Sequence, residues 1–232
     1  MPELHPLLAG RWSPRGFDGL HEVGHAELAS LLEAARWAPS AGNGQPWRFA
    51  IGRRDDETHK RIFECLAGED QRWAWRASAL VAAAFVTSPP ADGPAPVVPS
   101  SRRPADGATT AAPADGVTTA APTDSATTAA PTDGATTAAS GGGSRAVDAA
   151  YDLGQAVAHL GAQASALHLH THQMLGFDAA RLHRELELPD TVTVHAVVAV
   201  GRVGDPAVLP HDLQALEFRL RERRPIEQLL LA

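Results

Sequence analysis

The chain is short of the features that would send it to several common classes. It has one cysteine, Cys65, so no intrachain disulfide can form, and a reducing compartment is the default. Aromatic residues make up only 5% of its 232 residues, and much of its 44% hydrophobic share is alanine. No basic start followed by an apolar stretch marks the amino end, so no signal peptide is expected. The longest apolar run, Ala77 to Thr87, is too short to span a bilayer. The chain is therefore read as cytoplasmic, with no membrane partner. A formal net charge of −7 gives no general attraction to nucleic acid, so none is expected as a partner. No GxSxG elbow, P-loop or GxGxxG is present, which removes the sequence support for hydrolase, phosphotransferase and Rossmann readings.

What is present divides into two ordered parts and an insertion. Leu28, Leu31, Leu32 and Ala35 follow helical spacing within Ala26–Ala38, and Pro39 stops that helix. Trp47–Gly52 reads as a short strand. Asp55 or Asp56 caps a helix carrying Ile62, Phe63 and Leu66, with Gly68 at its end. Leu80–Thr87 reads as a buried strand. From Pro89 to Ser144 the composition collapses to Ala, Thr, Pro, Asp, Gly and Ser, with a unit like ATTAAPTDG repeating every nine residues or so. Such a repeat lacks the apolar side chains to offset ordering entropy. Residues 89–144 are expected to be a disordered insertion within one domain, 1–232, because neither flank looks complete alone.

Beyond the insertion, Val147–Thr171 reads as a long helix, apolar nearly all round and hence buried. Its stripe is Leu153, Val157, Leu160, Ala164 and Leu167. Asp178 caps a short helix ending near Leu188. Thr191–Gly201 reads as a strand with Val194, Ala196, Val198 and Val200 on one face. The tail from Asp212 to Leu231 has a helical pattern broken by Pro225. The order of elements predicts an α+β fold around a central helix.

Three clusters carry chemistry. Arg11-Trp12-Ser13-Pro14-Arg15 sets two guanidinium groups four apart with a hydroxyl between them, which suits a phosphate monoester. Its alternative is a solvated segment. Ala38-Pro39-Ser40-Ala41-Gly42-Asn43-Gly44-Gln45-Pro46-Trp47 joins small residues, which let a ligand approach the backbone, to directional polar groups. Its alternative is a helix stop and a turn. Arg221-Glu222-Arg223-Arg224-Pro225 is by itself a charged helix face, but joined to the first cluster it could complete a phosphate or flavin pocket. His168 and His172, with His170 between them, are at i and i+4 in the helical reading and so share a face suited to zinc. No HExxH accompanies them, and the reading preferred is helix-end histidines with no metal.

The segments RWSPR, EAARWAPSAGNGQPWRF, DQRWAWRASALVAAAF, YDLGQAVAHLGAQASALHLHTHQMLGFD and VHAVVAVGRVGDP, in that order, resemble the FMN-dependent nitroreductase superfamily. The Ala-Pro-Ser-x-x-Asn-x-Gln-Pro-Trp core is the most specific piece. The resemblance implies a central, mostly antiparallel sheet packed by helices around a long buried central helix. It implies a homodimer with FMN at each of two interface sites. Arg11, Trp12, Ser13 and Arg15 would hold the phosphate and ribityl chain. Pro39, Ser40, Ala41, Asn43 and Gln45 would reach the flavin of the other subunit. Met174, Leu175 and Gly176 would lie by the ring, and Arg221 and Arg223 would add phosphate contacts. Electrons would pass from NADH or NADPH to a small acceptor such as a nitroaromatic or quinone by a ping-pong mechanism, with no protein catalytic residue. Alternatives are FMN storage without turnover, or a related flavin chemistry such as reductive dehalogenation or flavin breakdown. The chain departs from the family in having Asp70 where Asn is frequent, and His168 and His170 where glycine is usual at one or both.

Overall fold

In a computed structural model, residues 3–87 and 142–231 are described. The expected repeat insertion lies outside them except for its last residues, 142–144, which belong to a helix. The elements run α1 (Pro6–Gly10), α2 (His25–Arg36), β1 (Trp47–Arg53), α3 (Glu57–Glu64), α4 (Gly68–Ala74) and β2 (Ala79–Val86). After the insertion come α5 (Gly142–Ala166), β3 (His170–Met174), α6 (Ala179–Glu185), β4 (Val192–Gly201) and α7 (His211–Glu217).

The strands form one antiparallel sheet in the order β1-β2-β4-β3. Strands from both sides of the insertion therefore share one sheet. Helices cover both faces. Val81, Ala83 and Phe85 of β2 pack with Leu28 and Leu31 of α2 and Leu153, Val157 and Leu160 of α5. Leu80, Ala82 and Ala84 turn the other way, to Ile62, Trp73, Leu182 and Leu213. A strand covered on both faces needs no polar alternation, which is why β2 reads as a continuous apolar run.

The local signals acted as the residues dictate. The Glu27 carboxylate accepts from the Gly24 N–H at 2.7 Å at the start of α2. Asp56 accepts from the His59 N–H at 2.7 Å and starts α3, and Asp178 accepts from the Arg181 N–H at 2.8 Å and starts α6. Each satisfies a donor that has no partner inside its helix.

Five expectations need correction. Gly68 does not end a helix; it opens α4. The long helix does not reach Thr171, because His168 takes a left-handed backbone, φ 57°. The Leu169 N–H returns to the Ala164 carbonyl at 2.8 Å and the His168 N–H to that of Ser165 at 3.2 Å, the Schellman pattern that ends helices. The chain then enters β3, so His168 and His172 share no helix face. Nor is α5 buried all round: Tyr151 is 69% exposed and Val147 68%. In β4, the register with β2 jumps from Ala196 to Val194. His195 is the extra residue of a β-bulge, which switches the alternation. Val192 and Val194 consequently face the same side as Val197 and Ala199, opposite Val198 and Val200. Last, the tail leaves the helix after Glu217, and a short 3-10 turn, Ile226–Leu229, follows Pro225.

The left-handed His168 yields a prediction. A Cβ in that region costs about 1–2 kcal/mol, partly offset by the backbone entropy that glycine loses on folding. His168→Gly should raise stability by about 0.5–1 kcal/mol in a denaturant titration. Destabilisation would show that the imidazole contributes packing there.

Candidate functional site

The two arginine clusters, separated by some 200 residues of sequence, meet in one cavity. It has a volume of about 420 Å³ and is lined by Arg11, Trp12, Ser13, Arg15, Leu216, Glu217 and the run Arg219–Arg223. Five of the lining side chains are guanidinium groups: Arg11, Arg15, Arg219, Arg221 and Arg223. Among the described residues, the ion pairs involve Arg36, Arg61, Arg72 and Arg181 and none of these five.

The carboxylate at the base of the cavity is already committed. Glu217, 8% exposed at the end of α7, accepts from the Arg15 N–H at 3.0 and 3.1 Å and from the Gly16 N–H at 3.0 Å. It fixes the backbone under Arg15 and leaves the Arg15 side chain free of it. On the rim, Arg221 donates to the Ala9 carbonyl at 2.7 Å and to the Arg11 carbonyl. Arg11 donates to Ser13 Oγ at 3.4 Å. These contacts hold the two arginine segments together through neutral acceptors, and Glu222, which also lines the cavity, forms no ion pair with the five guanidinium groups among the described residues.

Behind the cavity, β3 supports the arginine segment. His172 is buried, its Nδ1 donates to the Pro14 carbonyl at 3.0 Å, and its ring lies 4.5 Å from that of Trp73. His170 meets the edge of Trp12 with ring centroids 6.1 Å apart. Burial, with Arg15 adding to it, pushes His172 down to about 4. Burial lowers His170 in the same direction. No group of three or more metal-ligating side chains occurs among the described residues, and the zinc reading has no geometric support.

The remaining expected residues lie outside the cavity lining. Pro39, Ser40, Ala41, Asn43 and Gln45 form an outward-facing loop before β1. The Gln45 N–H donates to Ser40 Oγ at 3.1 Å, Gln45 Nε2 donates to Asn43 Oδ1 at 3.1 Å, and the Ala41 N–H donates to the buried Asp152 of α5 at 3.1 Å. Gly42, Asn43 and Gln45 all have left-handed φ, 56°, 56° and 44°, a region open to glycine and asparagine but costly for the side chain of Gln45. Met174 is 2% exposed and packs its side chain into the core. Leu175 is 72% exposed. Gly176 faces Ala67 and Asp70: a Cβ there would stand 3.3 Å from Ala67 Cβ and 3.5 Å from Asp70 Oδ2.

Sequence reasoning missed Arg219 and Glu217. Arg219 was legible in the RxRxR spacing through Arg221 and Arg223, but a helical tail would have fanned those side chains apart. Glu217 had no local signal, since its partners lie 201 and 202 positions away.

A family model for the nitroreductase family matches residues 8–202. The chain belongs to the nitroreductase family. The Arg219–Arg223 wall of the cavity lies beyond the matched residues. A solved structure described as an oxidoreductase containing FMN shares 27% identity with this nitroreductase-family chain, with a TM-score of 0.70 over 99% of this chain and 91% of the other. A nitroreductase family protein from Streptococcus pneumoniae shares the fold at a TM-score of 0.66 and 15% identity, covering 97% of this chain and 98% of that one. Among curated proteins, "Putative NAD(P)H nitroreductase YdgI" of Bacillus subtilis is 34% identical over 33% of this chain and 35% of its own length. An uncharacterized 15.4 kDa protein of Mycolicibacterium smegmatis is 40% identical over 34% of this chain and 54% of its own. The match thus spans about half or less of these curated relatives. Among the described residues no helix is long and apolar enough to cross a membrane.

Buried His172 gives this site an acid limit. A histidine depressed in the folded state supports stability fully above its unfolded value, 6.5, and loses that support as pH falls through its folded value, about 4. For His172 the difference amounts to about 3 kcal/mol. Thermal stability should fall between those limits. His172→Gln, which keeps a donor for Pro14 and does not titrate, should lose less over the same range. Identical pH profiles would refute the assignment.

Proposed function

We propose that this chain is an FMN-dependent oxidoreductase passing electrons from NADH or NADPH to a small organic acceptor, such as a nitroaromatic or quinone, by a ping-pong mechanism. The observation that carries this reading is the cavity walled by five arginines with no carboxylate partner among the described residues. Uncancelled guanidinium charge in one recess is costly to the chain alone and suits a phosphate dianion, which it meets with planar forks. The residues present therefore fit FMN at its phosphate end. They fit it at the ring end too, because Gly176 leaves a shallow place beside Ala67 and Asp70 that a side chain would fill.

In this reading Arg11, Arg15, Arg219, Arg221 and Arg223 bind the phosphate, and Ser13 and the Trp12 backbone hold the chain that follows it. The backbone of Met174, Leu175 and Gly176 lies along the ring. FMN held there would supply the redox chemistry that links the nicotinamide to the acceptor. No side chain needs to act as acid, base or nucleophile, and none is assigned as catalytic. The relative described as containing FMN and the family match support the cofactor; YdgI's name supports the nicotinamide donor.

Residues 1–232 form a single domain and the working unit is a homodimer. The loop Pro39–Gln45 is outward-facing and absent from its own chain's cavity, so it reaches the partner's flavin. The exposed Val147 and Tyr151 face of α5 is covered by the second copy.

The purified protein should be yellow or become so with FMN, and should bleach when NADH or NADPH is added without oxygen. Colour that persists with both would contradict the oxidoreductase reading. Arg11→Ala combined with Arg15→Ala should weaken FMN binding by about 3 kcal/mol or more, since charged hydrogen bonds contribute about 1.5–3 kcal/mol each. An unchanged FMN titration would remove these arginines from the site.

A further inference from the structure

The arginine cavity is larger and more positive than one phosphate requires. Its volume is about 420 Å³, whereas a phosphate group fills about the space of two or three waters at about 30 Å³ each. The residues expected beside the flavin ring, Met174, Leu175 and Gly176, are outside its lining, so the remaining space is not the ring's. Charge points the same way. Five guanidinium groups line the cavity against two carboxylates, Glu217 and Glu222, which leaves a surplus of three positive charges. A phosphate monoester brings about −1.5 to −2, so positive charge remains after the FMN phosphate is in place.

The arginines also fall into two layers. Arg11 and Arg15 are half-buried. Their segment is fixed from beneath by Glu217, which accepts from the Arg15 N–H at 3.0 Å, and by His172 on the Pro14 carbonyl at 3.0 Å. Arg219 and Arg223 are exposed, on the tail that follows α7. Arg221 ties the layers together through the Ala9 and Arg11 carbonyls. Among the described residues the Arg219 side chain donates no hydrogen bond, and that of Arg223 donates only to the adjacent Glu222 carbonyl, at 2.7 Å. Two apolar side chains stand in the lining beside Arg219. Leu216, 46% exposed, accepts from the Arg219 N–H at 3.4 Å through its carbonyl, and Leu220, 85% exposed, follows it in the chain. A phosphate makes no use of these, but a flat base joined to a phosphate does.

We propose that the cavity holds two phosphate groups at once. Arg11 and Arg15 grip that of FMN, and Arg219 and Arg223 extend from it to an adenosine phosphate whose base lies against Leu216 and Leu220. The proposal rests on the reading of the cavity as the FMN phosphate site and names the partner of its outer half. Two molecules carry the required group. NADPH has a 2′-phosphate that NADH lacks, and the AMP half of FAD adds a second phosphate to that of FMN. In either case two arginines beyond the family-matched residues 8–202 set which dinucleotide the chain takes.

The test is calorimetric titration of the FMN-saturated full chain with adenosine 2′-phosphate, adenosine 5′-phosphate and adenosine, while flavin absorbance reports that FMN stays bound. At least one of the two phosphates should bind once per chain, tighter than adenosine by about tenfold or more, as one charged hydrogen bond requires. Arg219→Ala combined with Arg223→Ala, saturated with FMN in the same way, should lose that preference. A stronger 2′-phosphate assigns the group to NADPH, and the parent's kcat/KM should then favour NADPH over NADH by a factor that falls in the variant. A stronger 5′-phosphate assigns it to FAD, which should then displace FMN. Equal binding of the two assigns it to both. Phosphates that bind no tighter than adenosine, or only by expelling FMN, overturn the second phosphate and leave the FMN reading intact. A preference that survives in the variant overturns the assignment to Arg219 and Arg223. Absence of FMN binding in the parent overturns the cavity reading and this proposal with it. Arg219→Gln with Arg223→Gln repeats the comparison if the alanine pair does not fold.

Discussion

The candidate site depends on one buried carboxylate. Glu217 ends α7 and spends its charge on two consecutive backbone amides, those of Arg15 and Gly16. That bond joins segments from opposite ends of the chain and sets the arginines of both into one recess. A buried carboxylate left without donors would be costly, so the contact also fixes where the tail leaves its helix. Because Glu217 is satisfied by neutral amides, it holds the wall without pairing any guanidinium. The recess keeps its positive charge although the chain as a whole is acidic at −7.

The rest of the fold presents that recess. A sheet covered on both faces gives a rigid floor, and its edge strand β3 carries two imidazoles against the arginine segment. His172 grips Pro14 from below, and His170 borders Trp12. His168 ends α5 in the left-handed region, which glycine takes without a Cβ penalty.

Much of this was legible in the residues. Helical spacing found α2 and α5, capping aspartates found α3 and α6, and the apolar run found β2. The arginine segment was legible by type, because two guanidinium groups about a hydroxyl state their chemistry without a fold. Other features depend on tertiary context. The strand β3 is written HTHQM, with little β-branched character, and followed an apolar helix with only a left-handed histidine to end it. The bulge at His195 arises from pairing with β2, which no local pattern encodes. Glu217 looks like any helix-end glutamate until its partners arrive from the other end of the chain. The tail beyond Glu217 was misread as helix, because charge spacing alone does not distinguish an extended run from a helical face.

The central claim is that the arginine recess exists for a phosphate. Comparing the affinity of the protein for FMN with that for riboflavin, which has the same ring and ribityl chain without the phosphate, isolates that claim. The account predicts FMN binding tighter by about a hundredfold or more, as two or more charged hydrogen bonds require, with the advantage shrinking as salt is raised. Equal affinity for the two flavins, at low salt and high, would contradict it.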